Sequence, residues 1–143
     1  MAISYGYVYV AQIAMGADMN QTLKALREAE AYNGPSLVIA YSHCINHGIK
    51  AGMNKGMEEQ ARAVQAGYWH LYRYNPDLRG TDQNPFSLDS KAPTADLREF
   101  LLGEVRYDSL FKIDPEHAEQ LFAKTAKDAQ ERYESYKRLA GQQ

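Results

Sequence analysis

Apolar residues in the opening stretch YGYVYVAQIAMG fill both alternating sets of positions, with Tyr7, Tyr9, Ala11 and Ile13 on one and Val8, Val10 and Ala14 on the other. A strand wetted on one face alternates in polarity and a strand covered on both faces does not, so this segment predicts a strand buried on both sides. The period then changes. In DMNQTLKALREAEAY, Leu23, Leu26 and Ala29 fall at helical spacing, and Asp18 followed by Gln21 resembles a capping box, which predicts an amphipathic helix. Asn33, Gly34 and Pro35 end it, and PSLVIAYS, centred on Leu37, Val38 and Ile39, predicts a second strand. Strand, helix and strand make a βαβ unit. Its crossover is right-handed, and ligands of open parallel sheets sit beyond the carboxyl ends of the strands, where the loop SHCINHGIKAGM lies.

The next stretch, NKGMEEQARAVQAG, places Met57, Ala61 and Val64 on one helical face, with Gly67 as its stop. YWHLYRYNP follows as a strand, residues 70, 72 and 74 sharing one face and 69, 71 and 73 the other. Beyond Pro76 turn formers dominate LRGTDQNPFSLDSKAP, leaving Phe86 and Leu88 as inward contacts of a short extended piece. A helix from about Thr94 presents Leu97, Phe100, Leu101 and Val105, with Gly103 as a weak point in the rod. The last helix has Asp114 as its cap and Pro115 at its first position. Ala118, Phe122, Thr125, Ala129, Tyr133, Tyr136 and Ala140 then form a packing stripe. The predicted fold class is α/β: a partial parallel sheet of two or three strands built from a βαβ unit, followed by carboxy-terminal helices. With no internal repeat or linker, the chain reads as a single unit over residues 1–143, with an α/β part at 1–76 and a turn-rich segment with terminal helices at 77–143. So small a sheet leaves an exposed edge that further strands or a partner chain would cover, and a homo-oligomer is one way to do it.

At 143 residues the chain is one domain or part of one. A net charge of −2 with well-mixed signs offers no basic field for a phosphate backbone, so nucleic acid is not an expected partner. No apolar run approaches the roughly 20 residues that cross a bilayer, which excludes a membrane-spanning helix and predicts a soluble, cytoplasmic protein. Glycine-rich dinucleotide, P-loop, His-Glu-x-x-His and nucleophile-elbow motifs are absent. The thiamine-diphosphate motif is absent too, although Gly16-Ala17-Asp18 comes superficially close. The densest group of reactive side chains surrounds the single cysteine, Cys44, with His43, Asn46, His47 and Lys50 beside it. A lone buried cysteine is more often an inert small hydrophobe. Placement after an apolar strand favours a ligand role instead. Zinc held by His43, Cys44 and His47 would lack a fourth ligand. An iron–sulfur cluster normally takes four cysteines, of which this chain could supply one. The aromatic run Tyr68, Trp69, Tyr72 and Tyr74 could stack bases, but two-sided strand packing is the simpler account.

Taken in order, YGYVYVAQIAMGADMNQTLKALREAEAYNGPSLVIAYSHCINHGIKAGM, GYWHLYRYNPDL, NPFSLDSK and EFLLGEVRYDSL resemble the carboxy-terminal end of pyruvate:ferredoxin (flavodoxin) oxidoreductase. The resemblance implies the last part of the thiamine-diphosphate-binding domain of an enzyme that decarboxylates pyruvate, forms acetyl-coenzyme A and passes electrons through 4Fe-4S clusters to ferredoxin or flavodoxin. It implies that Cys44 is one metal ligand of the cluster nearest the thiamine, an upstream stretch supplying the other three. No catalytic residue is carried over. The magnesium and diphosphate motif would precede residue 1, so the isolated chain is expected to be inactive and to hold no cofactor, and its partners are the upstream domains of the same enzyme. Two other readings stand beside this one: a non-catalytic association module, and a small zinc-binding domain.

Overall fold

The computed structural model describes residues 1–141. Strand β1 (Tyr9–Ile13) leads into helix α1 (Met19–Ala31), and β2 (Ser36–Ala40) returns parallel to β1, pairing Tyr9 with Ser36 through Ile13 with Ala40. This is the predicted βαβ unit. Asp18 caps α1 by accepting from the Gln21 amide at 2.9 Å. The Gln21 side chain does not complete a capping box; it donates to the Gln12 carbonyl and to Asp89.

After α2 (Gly56–Gln65) the chain enters β3 (Tyr72–Tyr74), which runs antiparallel to β1, and β4 (Phe86–Leu88) pairs antiparallel with β3. The sheet is therefore mixed, in the order β2-β1-β3-β4, and only its β1–β2 half is parallel. The connection from β2 runs through the Cys44 loop and α2, which Gly67, with φ +71, ends, and it brings the chain to the side of β1 opposite β2.

Helices α3 (Leu97–Gly103) and α4 (Val105–Ile113) replace the single helix expected there, with a break at Glu104, which is extended at φ −89° and ψ 120°. Leu97, Phe100 and Leu101 are buried as the pattern predicts, but Val105 lies beyond the break and is exposed. The long α5 (Pro115–Leu139) begins with Asp114 accepting from the His117 amide. Its predicted stripe is the one that packs. Phe122 and Ala129 close a core with Ala63, Ala66, Leu97, Phe100 and Leu101, while Tyr136 and Ala140 cover Val10, Tyr72, Tyr74 and Phe86 on one face of the sheet.

The inward faces of α1 and α2 differ from the expected ones. In α1 the buried residues are Gln21, Thr22 and Ala25, with Leu23 and Leu26 each 46% exposed. In α2 they are Gly56, Glu59, Gln60 and Ala63, with Met57 exposed. Polar side chains can face inward because partners await them: Gln60 accepts from the Gly16 amide at 2.8 Å, and Gln21 bonds across to Asp89 at 3.0 Å. On α1, Gln21 and Glu28 mark the flank toward β3 and β4. The stripe of Met19, Leu23 and Leu26 lies on the other side of the helix and is exposed, while Leu37 and Ile39, exposed on β2, alternate with Val38 and so face the side of the sheet away from α1.

Gly16 is where β1 and α2 meet most closely. A Cβ there would stand 2.2 Å from the Met57 carbonyl oxygen, a backbone atom that cannot swing aside. Gly16→Ala is therefore expected to cost about 1–3 kcal/mol, as overpacking does. Amide hydrogen exchange should show the first turns of α2 losing protection before α5 does.

Candidate functional site

Continuing from β2, the Tyr41 amide still bonds to the Ile13 carbonyl, and the chain then leaves the sheet. Cys44 sits just beyond, exposed and unpaired. Its carbonyl accepts from the amides of His47 and Gly48, each at 3.1 Å, which folds residues 44–48 into a compact turn. Gly48 completes the turn at φ +72, where a side chain would be strained and would press on Val105.

The turn is fastened to the α3–α4 break. Val105 donates to the Gly48 carbonyl at 3.0 Å, Arg106 to that of His47 at 3.2 Å, and Lys50 to that of Gly103 at 3.0 Å. Ile49 and Glu104 form an isolated antiparallel bridge, and the Lys50 ammonium meets Asp108 at 2.7 Å. A helix interrupted at Glu104 exposes backbone groups that an unbroken one would use internally, and the Cys44 loop takes them.

Beneath the loop is a small cavity of about 190 Å³ whose walls include Tyr41, His43, His47, Phe100 and Glu104. Glu104 is only 3% exposed and Glu59 1%, and each has an oxygen with no hydrogen-bond partner. Arg62 pairs with Glu59 at 3.0 Å, and His47 Nδ1 approaches Glu104 at 3.9 Å. Burial first, and then the charge and hydrogen bonding of Glu59, push the Glu104 carboxyl from 4.5 up to about 7, against the opposing pull of Arg62. A protonated Glu104 can donate to the Glu59 carboxylate, which resolves two unmet acceptors with one proton. Burial likewise pushes the Tyr41 and Tyr107 phenols up, so both remain neutral donors, and Tyr107 shares a hydrogen bond with Tyr68 at 2.8 Å.

The proposed zinc set is not assembled. The His43 ring is lodged against Gly56, where a Cβ would come 2.0 Å from it, and the His47 ring packs on Tyr107 at 5.0 Å. Among the described residues no three His, Cys, Asp or Glu side chains converge as a metal-binding group. Cys44 fits a cluster only as a single ligand: a free, exposed thiol on a loop fixed by backbone hydrogen bonds. Asn46 is exposed on the same turn, and Lys50 is engaged by Asp108. Glu59 and Glu104 were not legible as part of this site. Both read as ordinary charges in helical segments, and only Gly103 hinted that the helix breaks where Glu104 turns inward.

No family model matches the chain. It is 64% identical over 140 residues to a pyruvate-flavodoxin oxidoreductase of Enterobacter agglomerans, covering 98% of this chain and 12% of the relative. It is 61% identical over 140 residues to a pyruvate:ferredoxin oxidoreductase of Moorella thermoacetica, again covering 98% of this chain and 12% of the relative. A pyruvate-flavodoxin oxidoreductase of Klebsiella pneumoniae is 59% identical across 143 residues, which is 100% of this chain and 12% of the relative. The chain thus spans about one eighth of the length of these curated relatives.

Proposed function

We propose, from the chain's membership along its whole length of the pyruvate:ferredoxin and pyruvate-flavodoxin oxidoreductase family, that it is the carboxy-terminal part of a thiamine-diphosphate-binding domain. The complete cytoplasmic enzyme oxidatively decarboxylates pyruvate, forms acetyl-coenzyme A and reduces ferredoxin or flavodoxin through 4Fe-4S clusters. The observation that carries this reading is identity of 59–64% sustained over 98–100% of the chain to relatives named as pyruvate-flavodoxin or pyruvate:ferredoxin oxidoreductases.

Within that enzyme Cys44 supplies one thiolate to a cluster, and three further cysteines come from upstream. A bound cluster would accept and release electrons there. What this chain contributes is a fixed ligand: the turn at 44–48 and its bonds to Gly103, Val105 and Arg106 hold the sulfur's backbone in place. His47 and Asn46 shape the loop. Thiamine diphosphate and its magnesium are assigned no residue of this chain.

Upstream domains are the partner, and the faces of α1 and β2 support that choice. β2 is an unpaired edge strand with Leu37 and Ile39 exposed on one face of the sheet, and Met19, Leu23 and Leu26 are exposed on α1 over the other, which together make an apolar edge of the kind that another strand and helix cover. The apolar period of α1 marks a buried face of the larger protein. The same surface would serve a non-catalytic association module. Mixing this chain with separately expressed upstream domains separates the two readings, since restored pyruvate-dependent electron transfer requires the enzyme.

Cys44→Ser in the complete enzyme tests the ligand. Iron content should fall by up to one cluster per chain, or the electron paramagnetic resonance spectrum should show one cluster converted, with thiamine diphosphate binding retained. Unchanged iron and unchanged spectra would remove Cys44 from the ligand set.

A further inference from the structure

A second cleft, of about 390 Å³, opens between α5 and the face of the sheet that α5 covers. It shares Tyr68 and Tyr107 with the cavity under the Cys44 loop but contains no residue of that loop. Its volume falls in the range of small-molecule sites. Deep in it lies His70, 2% exposed, with neither ring nitrogen hydrogen-bonded, and beside it the buried Gln12 Oε1 is also without a partner.

These vacancies are selective. The side chains of Trp69, Thr125, Tyr68 and Tyr107 around them are satisfied: Trp69 Nε1 donates to the Ile13 carbonyl at 3.1 Å, Thr125 donates to that of Leu121, and Tyr68 pairs with Tyr107. Burial, with a smaller contribution from Arg132, lowers His70 to about 4, so its ring is neutral near pH 7 and offers one donor and one acceptor. Each buried polar group left unmet is costly, and a ligand able both to donate and to accept would recover that cost.

The rim narrows the ligand class. Asp128 and Arg132 stand one turn apart on α5, and neither forms an ion pair among the described residues. Arg132 donates to the Tyr68 carbonyl at 3.2 Å and keeps further N–H groups free. A carboxylate beside a guanidinium matches an amino group beside a ring nitrogen. The same carboxylate disfavours a phosphate or an organic acid. Tyr68, Trp69, Tyr107 and Tyr136 provide aromatic walls for a planar ring.

The geometry points to a binding site in this cleft for a neutral, amino-substituted nitrogen heteroaromatic ring of nucleobase type, carried by a small molecule. Asp128 and Arg132 read its amino and ring-nitrogen edge, and His70 and Gln12 meet its inner edge. The chain's net charge of −2 disfavours a base within a nucleic acid. This site does not depend on the role of Cys44.

The test titrates the intact protein that carries this chain with 2-aminopurine, whose fluorescence is quenched on stacking. Saturable quenching that adenine displaces is expected. Asp128→Ala, an exposed position, should weaken it at least tenfold. His70→Phe, which keeps the packing on Tyr133 and Tyr136 but removes both nitrogens, should weaken it comparably, and Lys124→Ala should leave it unchanged. No saturable quenching at millimolar probe, or quenching indifferent to both Asp128→Ala and His70→Phe, overturns the proposal.

Discussion

Arg73→Ala is expected to destabilise the α/β half by about 3–5 kcal/mol, the cost of removing one partner from a buried ion-pair network. The guanidinium side chain is 11% exposed and joins two carboxylates: Glu28 at 2.6 Å and Asp89 through paired contacts of 2.8 Å. Tyr9 donates to the other Glu28 oxygen at 3.0 Å, and Gln21 to Asp89 at 3.0 Å. One side chain on β3 thus ties the first strand, the first helix and the segment after β4 to each other. Truncation would leave two mostly buried carboxylates facing each other without a cation. Hydrogen exchange at the Tyr9–Ile13 and Tyr72–Tyr74 amides should accelerate by two to three orders of magnitude, each tenfold corresponding to about 1.4 kcal/mol. Arg73→Met combined with Glu28→Gln and Asp89→Asn should recover much of the loss, because the uncompensated charges go with the cation. If the single variant exchanged at the parental rate, the network would be a surface ornament.

The second large effect depends on pH. Glu104 has an ordinary carboxyl value of 4.5 when unfolded and about 7 when folded, raised by burial and then by Glu59. Below 4.5 both states hold the proton and the difference vanishes. Between 4.5 and 7 the unfolded chain ionises while the folded chain keeps its proton, so stability falls as pH rises. Above 7 both are ionised and the penalty is constant, on the order of 3 kcal/mol. Glu104→Gln keeps a donor toward Glu59 and abolishes the ionisation. It should therefore match the parent near pH 4.5, exceed it at pH 8, and flatten the slope between. Amide exchange at Val105 and Arg106, whose bonds hold the Cys44 loop, reads the effect where it matters. Equal pH dependence in parent and variant would show that the carboxyl is ionised throughout.

Local chemistry made much of the fold legible. Asp18, Asp114 and Pro115 start helices where they were expected, Gly67 stops α2, and the α5 stripe from Ala118 to Ala140 is the packed one. His70, Tyr72 and Tyr74 share a face because alternation is a property of the strand itself. The helical faces of α1 and α2 were misread for a different reason. Apolar spacing marks an amphipathic helix but not which side of it packs, and the inward positions go to Gln21 and Gln60, whose partners lie far along the chain, while Leu23, Leu26 and Met57 stay exposed.

The sequence by itself determined the order of elements, their caps, the long packing stripe and the position of Cys44 just past a parallel strand, because each follows from periodicity and neighbouring residues. Tertiary structure alone decided three further things: that β3 turns antiparallel, that Arg73 becomes the hub of a buried ion network, and that the break at Glu104 clasps the Cys44 loop over a buried carboxyl pair. Those outcomes depend on which distant segments share a dehydrated space. Desolvation and long-range pairing set their energies, and neither is written in the spacing of residues along the chain.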